Sequence, residues 1–246
     1  MKSPFNKRIT IIHTGHIGDI IAFIPTFRAL QGTHLMIRDE PWMNPPMSGF
    51  RYDSVKPLLE SQGIEVSFNS GATSIDYDMS GWRECYQDTL SLADAQARYV
   101  HVVDRRNGFL DLSNPWIDVE PDPLTKGRII FNRSPRYRNY NFPWDKVLHH
   151  FGNKSLFIGT PQEHKDFIKE VGKIEYYETP SCLEVAKAIK GSEFFVGNQS
   201  SSCWIAMAMH HPLLQEVFTP APNSIVEYEG AWYAFDDNIN FDKLKK

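Results

Sequence analysis

The sequence predicts an α/β protein built on parallel sheets, and two observations carry that reading. Residues 128–217 alternate five short apolar strands with four helix-length segments, and residues 8–31 run from an apolar strand through a glycine-containing loop into an amphipathic helix. Strands separated by helices of that length form βαβ units, whose crossovers put neighbouring strands parallel.

Taken in order, Ile9, Ile11 and Ile12 mark the first strand, 8–13, and Ile20, Phe23, Ile24, Phe27 and Leu30 recur at helical spacing over about 18–31. A strand at 33–38, a helix over about 53–62 and a strand at 64–68 continue the alternation. From Gly71 to Gln96 the periodicity weakens and assigns no element, while Tyr99–Val103 reads as a short strand. Asn114–Pro123 holds three prolines and several charges without periodicity, the composition of an interdomain linker, and divides the chain into residues 1–120 and 121–246. Beyond it come strand 128–132, helix 144–151, strand 154–158, helix 161–171, strand 174–177, helix 181–190, strand 193–197, helix 201–210 and strand 213–217. Thr160-Pro161-Gln162-Glu163 sets a cap, a first-position proline and a capping-box glutamate in order, and Ser181 with Glu184 forms a second box.

Composition excludes several function classes. At 246 residues, 41% hydrophobic and 13% aromatic, the chain fills the cores of two compact α/β units or one large one. No apolar run approaches the roughly 18–20 residues of a membrane span, and residues 1–7 contain no apolar signal core, so a cytoplasmic location is expected without integral membrane association. Three widely spaced cysteines, Cys85, Cys182 and Cys203, make neither a disulfide framework nor a zinc cluster. Residues 1–125 carry 11 Lys/Arg against 16 Asp/Glu and the remainder 15 against 14, which gives no broad basic face for nucleic acid. The histidines of the 13/16, 149/150 and 210/211 pairs lack carboxylate or cysteine partners at ligand spacing, so no metal is expected. Trp42, Trp82, Trp144 and Trp232 are expected in packing rather than sugar stacking.

The chemistry concentrates in loops that follow strands, where open α/β sheets gather ligands. In His13-Thr14-Gly15-His16-Ile17-Gly18-Asp19, two glycines allow close backbone approach and Asp19 falls in the first helical turn, where the dipole favours its ionised form. That suits a general base, and equally an ordinary helix start. Asn132–Tyr140 holds Arg133, Arg136, Arg138 and Ser134 beside a helix start; guanidinium groups fork onto phosphate oxygens, although a solvated basic loop has the same composition. Asn198-Gln199-Ser200-Ser201-Ser202 opens a helix whose free N–H groups and hydroxyls form an anion site or a plain N-cap. Glu163 can accept from ribose hydroxyls or complete its capping box. His16 lies in the same loop as Asp19, and Glu216 is open between cleft and solvent.

These motifs, in this order, resemble the heptosyltransferase-like glycosyltransferases. The likeness rests on Gly18-Asp19, Pro25, Trp144, Gly159–Glu163, Ser181–Ile189, and Phe195–Ser200 through Ala206, Ala208 and Pro212; it is patchy over 40–110 and dense over 128–217. The resemblance implies a GT-B-like architecture of two Rossmann-like domains with parallel sheets facing a cleft: an abbreviated acceptor-side domain at 1–120 and a nucleotide-sugar domain at 121–246. It implies inverting, metal-independent transfer of a sugar from a nucleotide diphosphate sugar to a saccharide or other hydroxyl acceptor, with no cofactor. Asp19 then looks like the catalytic base, with Gly18 and His16 beside it. Arg133, Ser134 and Arg138 match the diphosphate loop, Glu163 the nucleoside carboxylate, and Asn198, Gln199, Ser200 and Ser201 the helix start beneath phosphates and sugar. The family usually has aspartate where Gln199 stands, histidine where Trp204 stands, and a lysine for which Arg136 or Arg138 is the substitute, which points to altered sugar recognition. Three alternatives use the same architecture: glycosylation of a modified DNA base, with nucleic acid as acceptor; non-catalytic nucleotide-sugar binding; and nucleotide-sugar epimerisation.

Overall fold

The computed structural model describes residues 8–39, 47–69, 74–86, 91–104 and 110–244. Trp42 lies outside them. Two parallel sheets form the frame. The first contains β1 (Thr10–His13), β2 (His34–Ile37), β3 (Glu65–Phe68) and β4 (Tyr77–Asp78) in the order β3-β2-β1-β4, interleaved with α1 (Ile17–Ala29), α2 (Gly49–Ser61) and α3 (Leu92–Asp104). The second contains β5 (Ile129–Asn132), β6 (Ser155–Phe157), β7 (Glu175–Tyr176), β8 (Phe194–Asn198), β9 (Leu213–Glu216) and β10 (Ala231–Ala234) in the order β10-β9-β8-β5-β6-β7. Its helices are α4 (Trp144–Phe151), α5 (Pro161–Glu170), α6 (Cys182–Gly191) and α7 (Ser201–Ala208). Register is continuous where the sheets reverse direction of growth: Ile11 opposes both Leu35 and Tyr77, and Ile130 opposes both Leu156 and Phe195.

That reversal places the site. In the first sheet the chain grows from β1 through β2 to β3 and then returns to the other side of β1; in the second it grows from β5 to β7 and returns at β8. Crevices open outside the carboxyl ends of strands at such switch points. The loops at 14–18, 132–138 and 198–201 all lie there.

Burial follows from parallel pairing, which covers both faces of a strand and selects continuous apolar runs. β1, β2, β5 and β9 are buried throughout. α1 is buried from Asp19 to Phe27 because it is covered on several sides, packing on α3 and on α7 as well as on its own sheet. α2 packs on α6, and α6 on α7. One apolar core therefore runs through both halves, joining Ile11, Phe23, Leu35 and Trp82 to Phe195, Trp204, Ile205 and Leu213. A second cluster, with Phe131, Trp144, Phe157 and Phe167, fills the far side of the larger sheet. Among the described residues, no helix is long and apolar enough to cross a membrane.

Three elements differ from the sequence expectation. Tyr99–Val103 is not a strand but the last third of α3; Ala93, Ala95, Ala97 and Val100 are buried, and the alanines supply helix propensity that outweighs the β-branched run. β10 adds an unpredicted parallel strand beside β9. The stretch 114–123 is not a loose connector: Trp116 and Ile117 are buried, both of their N–H groups donate to Ala208 O, and Trp116 Nε1 donates to Ile21 O. Its prolines and charges decorate a strap whose two apolar residues anchor it to α1 and α7.

Candidate active site

Asp19 sits in the first turn of α1 with its side chain about a tenth exposed. Its Oδ2 accepts from the backbone N–H of His16 at 2.8 Å and from Arg83 Nη2 at 2.6 Å. Neither bond falls on Oδ1, which carries no hydrogen bond among the described residues. Arg83 is itself positioned, its guanidinium 4.3 Å from the Trp82 ring centroid, while Trp82 Nε1 donates to Thr14 O. Gln96 Nε2 donates to the Asp19 carbonyl, and Gln96 Oε1 meets His13 Nε2 at 2.9 Å. Gly15 is required for this packing: a Cβ there would lie 2.8 Å from both Asp19 Cβ and His13 Cε1. Arg83 and Gln96 lay in the stretch without periodicity, and no motif marked them.

Burial lowers the His13 pKa to about 4, so this ring is neutral at physiological pH. His16, half-buried at the N-cap of α1, is also lowered, first by desolvation; Asp19 opposes this, while the charges of Arg136, Arg51 and Arg83 add to it.

The helix starts of the two halves touch. A Cβ on Gly18 would lie 3.2 Å from Trp204 Cδ1 and 3.8 Å from Ser201 Cα, so glycine permits the closest approach of α1 to α7. At the start of α7, Ser200 Oγ accepts from Cys203 N and donates to Asn132 Oδ1 at 2.9 Å, tying the N-cap to the end of β5. Ser201 is half-exposed beside Gly18. Trp204 is buried, and its Nε1 has no hydrogen-bond partner among the described residues. The first backbone N–H groups of α7 thus open beside the Asp19 loop, the arrangement that binds anions.

Other expected residues have different engagements. Arg133 is buried, with Nε and Nη2 on the two oxygens of Glu216 at 3.3 Å and Nη1 on Glu170 at 3.0 Å. Glu216 is fully buried and also accepts from Asn139 N and Trp144 Nε1; burial is the main cause raising its pKa, against the pull of these donors. Arg138 Nη1 meets both Glu170 oxygens at 2.9 Å. Two of the three loop arginines are therefore held by carboxylates. Arg136 is exposed, its guanidinium 5.0 Å from the Tyr137 ring centroid and its Nη2 donating to Tyr137 OH.

Asn198 and Gln199, consecutive at the end of β8, tie down the loops on either side. Asn198 Oδ1 accepts from Ser134 N, and its Nδ2 donates to the carbonyls of Ser134 and Arg136 and to Ser134 Oγ. Gln199 Oε1 accepts from Phe218 N, and Nε2 donates to Ala221 O and Asn223 Oδ1. Both side chains are buried. Asn223 continues the connection into the first half, its Nδ2 donating to Tyr86 OH and its carbonyl accepting from Leu92 N. Glu163 completes its capping box, with Oε2 accepting from Thr160 N and Oγ1, and it stands 2.8 Å from where a Gly159 Cβ would be.

No protein-family model matches the chain, and no curated protein does. Solved structures share its fold. The glycosyl transferase family 9 protein from Veillonella parvula aligns with a TM-score of 0.54 at 12% identity, over 93% of this chain and 86% of that one. E. coli ADP-heptose lps heptosyltransferase II gives 0.55 at 13% identity, over 93% and 90%. The dodecameric iron-containing heptosyltransferase TibC in complex with ADP-D-beta-D-heptose, from E. coli, gives 0.56 at 17% identity over 95% of this chain. This chain spans 64% of TibC, less than two thirds of its length. The fold is thus the GT-B-like one of these glycosyltransferases, with two parallel sheets. Among the described residues no group of three or more His, Cys, Asp or Glu side chains fits a metal ion, so the described residues do not fit an iron site.

Proposed function

We propose that the chain is an inverting, metal-independent glycosyltransferase, its first lobe, residues 1–120, presenting acceptor and base and its second, 121–246, holding a nucleotide diphosphate sugar. The observation that carries this reading is the contact of Gly18 with Ser201 and Trp204, which brings a braced carboxylate and an anion-binding helix start to one place. Asp19 Oδ1 takes the proton of the acceptor hydroxyl as its oxygen attacks the anomeric carbon from the side opposite the diphosphate. The bond to the diphosphate breaks, and its growing negative charge is met by the N–H groups of α7, by Ser201 and Ser134, and by Arg136. Arg133 and Arg138 act behind the surface, holding the 133–138 loop through Glu216 and Glu170. Glu163, whose bonds fall on Oε2, offers Oε1 to ribose hydroxyls. Asn198 and Gln199 position the loops, and His16, at the N-cap of α1 with its N–H on Asp19, lines the acceptor side. The ADP-linked donors of the structural neighbours make ADP-sugars the first donors to assay.

Asp19→Asn should abolish transfer and leave donor binding intact; undiminished turnover would overturn the assignment. Transfer should persist in excess EDTA, and loss of activity restored by a divalent ion would remove the metal-independent part of the reading. Donor binding without transfer to any hydroxyl acceptor would instead favour a nucleotide-sugar-binding protein, a reading to which the commitment of Gln199 to loop support lends weight.

A further inference from the structure

Tyr137 and Phe218 meet across the end of β8. Their ring centroids are 5.7 Å apart with planes inclined at 58°, and both rings are half-buried. Tyr137 follows β5 and Phe218 follows β9, the two neighbours of β8 in the sheet. The backbone at each ring is held by an amide side chain at or just past the end of β8: Asn198, its last residue, donates to the carbonyls of Arg136 and Tyr137, and Gln199, the next residue, accepts from the N–H of Phe218. Tyr137 also has a φ of +52°, a left-handed conformation that a bulky residue rarely adopts and glycine or asparagine takes easily. An aromatic ring kept there against its backbone preference points to a use for the ring.

Position suggests the use. Along the carboxyl edge of the larger sheet the order is β6, β5, β8, β9. In the reading above, the nucleoside lies at Glu163 after β6 and the diphosphate at the start of α7 after β8, so the next group of a donor in line falls beside β9. Arg136, in the same loop, lies over the Tyr137 ring and donates to its hydroxyl. Gln199, just after β8, spends both ends of its amide on the protein.

We propose that Tyr137 and Phe218 form a stacking wall for the transferred sugar, taking the C–H face of a pyranose against their π surfaces, so that the sugar is recognised by ring shape rather than by a charged side chain. This rests on the donor reading above and deepens it. The donor class it selects is a nucleotide sugar whose pyranose offers a flat C–H face.

Calorimetric titration with ADP, ADP-glucose, UDP and UDP-glucose tests it. For the nucleotide that binds, the wild type should hold the sugar form about five- to tenfold tighter than the diphosphate alone. Tyr137→Phe should keep that preference; Tyr137→Gly, which suits the backbone conformation, and Phe218→Ala should erase it while leaving the diphosphate affinity in place. Persistence of the preference in both ring-deletion variants overturns the wall. Equal loss of diphosphate and sugar affinity also overturns it, since the rings would then only support the loop. Absence of binding by all four ligands to the wild type overturns the donor reading and the wall together.

Discussion

Asp19 is held from two sides on one oxygen, and in the proposed mechanism its reactivity depends on that asymmetry. Arg83 and the His16 N–H fix Oδ2 and leave Oδ1 without a hydrogen bond among the described residues, in the first turn of α1 next to Gly18, where α1 meets α7. Arg83 is thus a positioning residue, and Arg83→Met should lower kcat by about a hundredfold with little change in donor KM, since misplacing a reacting group by 1 Å costs that much. Steady-state kinetics check this, and an unchanged kcat removes Arg83 from the mechanism. None of it was legible in the sequence beyond Gly18-Asp19 itself, because Arg83 stands 64 residues away in a stretch without pattern. The same distance problem hid the fate of Arg133: a basic loop after a strand advertises phosphate binding, but Glu216, 83 residues on, occupies the guanidinium. Buried histidines set a second expectation at this scale. His13 and His211 are both lowered from 6.5 to about 4 by burial, so the unfolded chain binds more protons than the folded one between those values. Their contribution is complete above pH 6.5 and is lost as pH falls through 4, by roughly 3 kcal/mol each at most. Glu216, raised by burial, has the opposite sign, so the test compares urea midpoints of wild type and His211→Gln across this range. The variant should show the shallower dependence, and parallel curves would refute the assignment.

At the scale of elements, the α1–α7 contact is the decisive one, and it is made by a glycine. A Cβ at Gly18 would lie 3.2 Å from the edge of the buried Trp204 indole, tighter than ordinary van der Waals contact. Gly18→Val should push the helices apart, lowering stability by about 1–3 kcal/mol as overpacking does and weakening nucleotide binding together with it. Thermal melts with and without ADP read both effects; a stable variant with full affinity would show that the approach is incidental. Apart from β10, the strands and helices of the second half were legible to within a residue or two, because apolar runs bounded by caps such as Thr160 and Ser181 state both type and start. α3 was misread where Tyr99 and Val100 near its end resemble a strand taken out of context, and β4, two residues long, carries too little pattern to see.

At the scale of the molecule, the two sheets share one core rather than two. Phe23, Trp82 and Leu35 belong to the same apolar cluster as Phe195, Ile205 and Leu213, and the strap at Trp116 is anchored to both α1 and α7. Two domains joined by a flexible connector unfold in steps, whereas halves that share a core do so together. Scanning calorimetry should show a single transition whose calorimetric and van't Hoff enthalpies agree, and resolved peaks would return the chain to a hinged pair of domains.

The strap has a further consequence for turnover. With two successive N–H groups seated on one carbonyl at the last turn of α7, the covalent crossing between lobes is riveted rather than hinged, and wide jaw-like opening would tear those bonds out of an apolar seat. Any turnover by the mechanism proposed above would then proceed without a wide opening of the two halves.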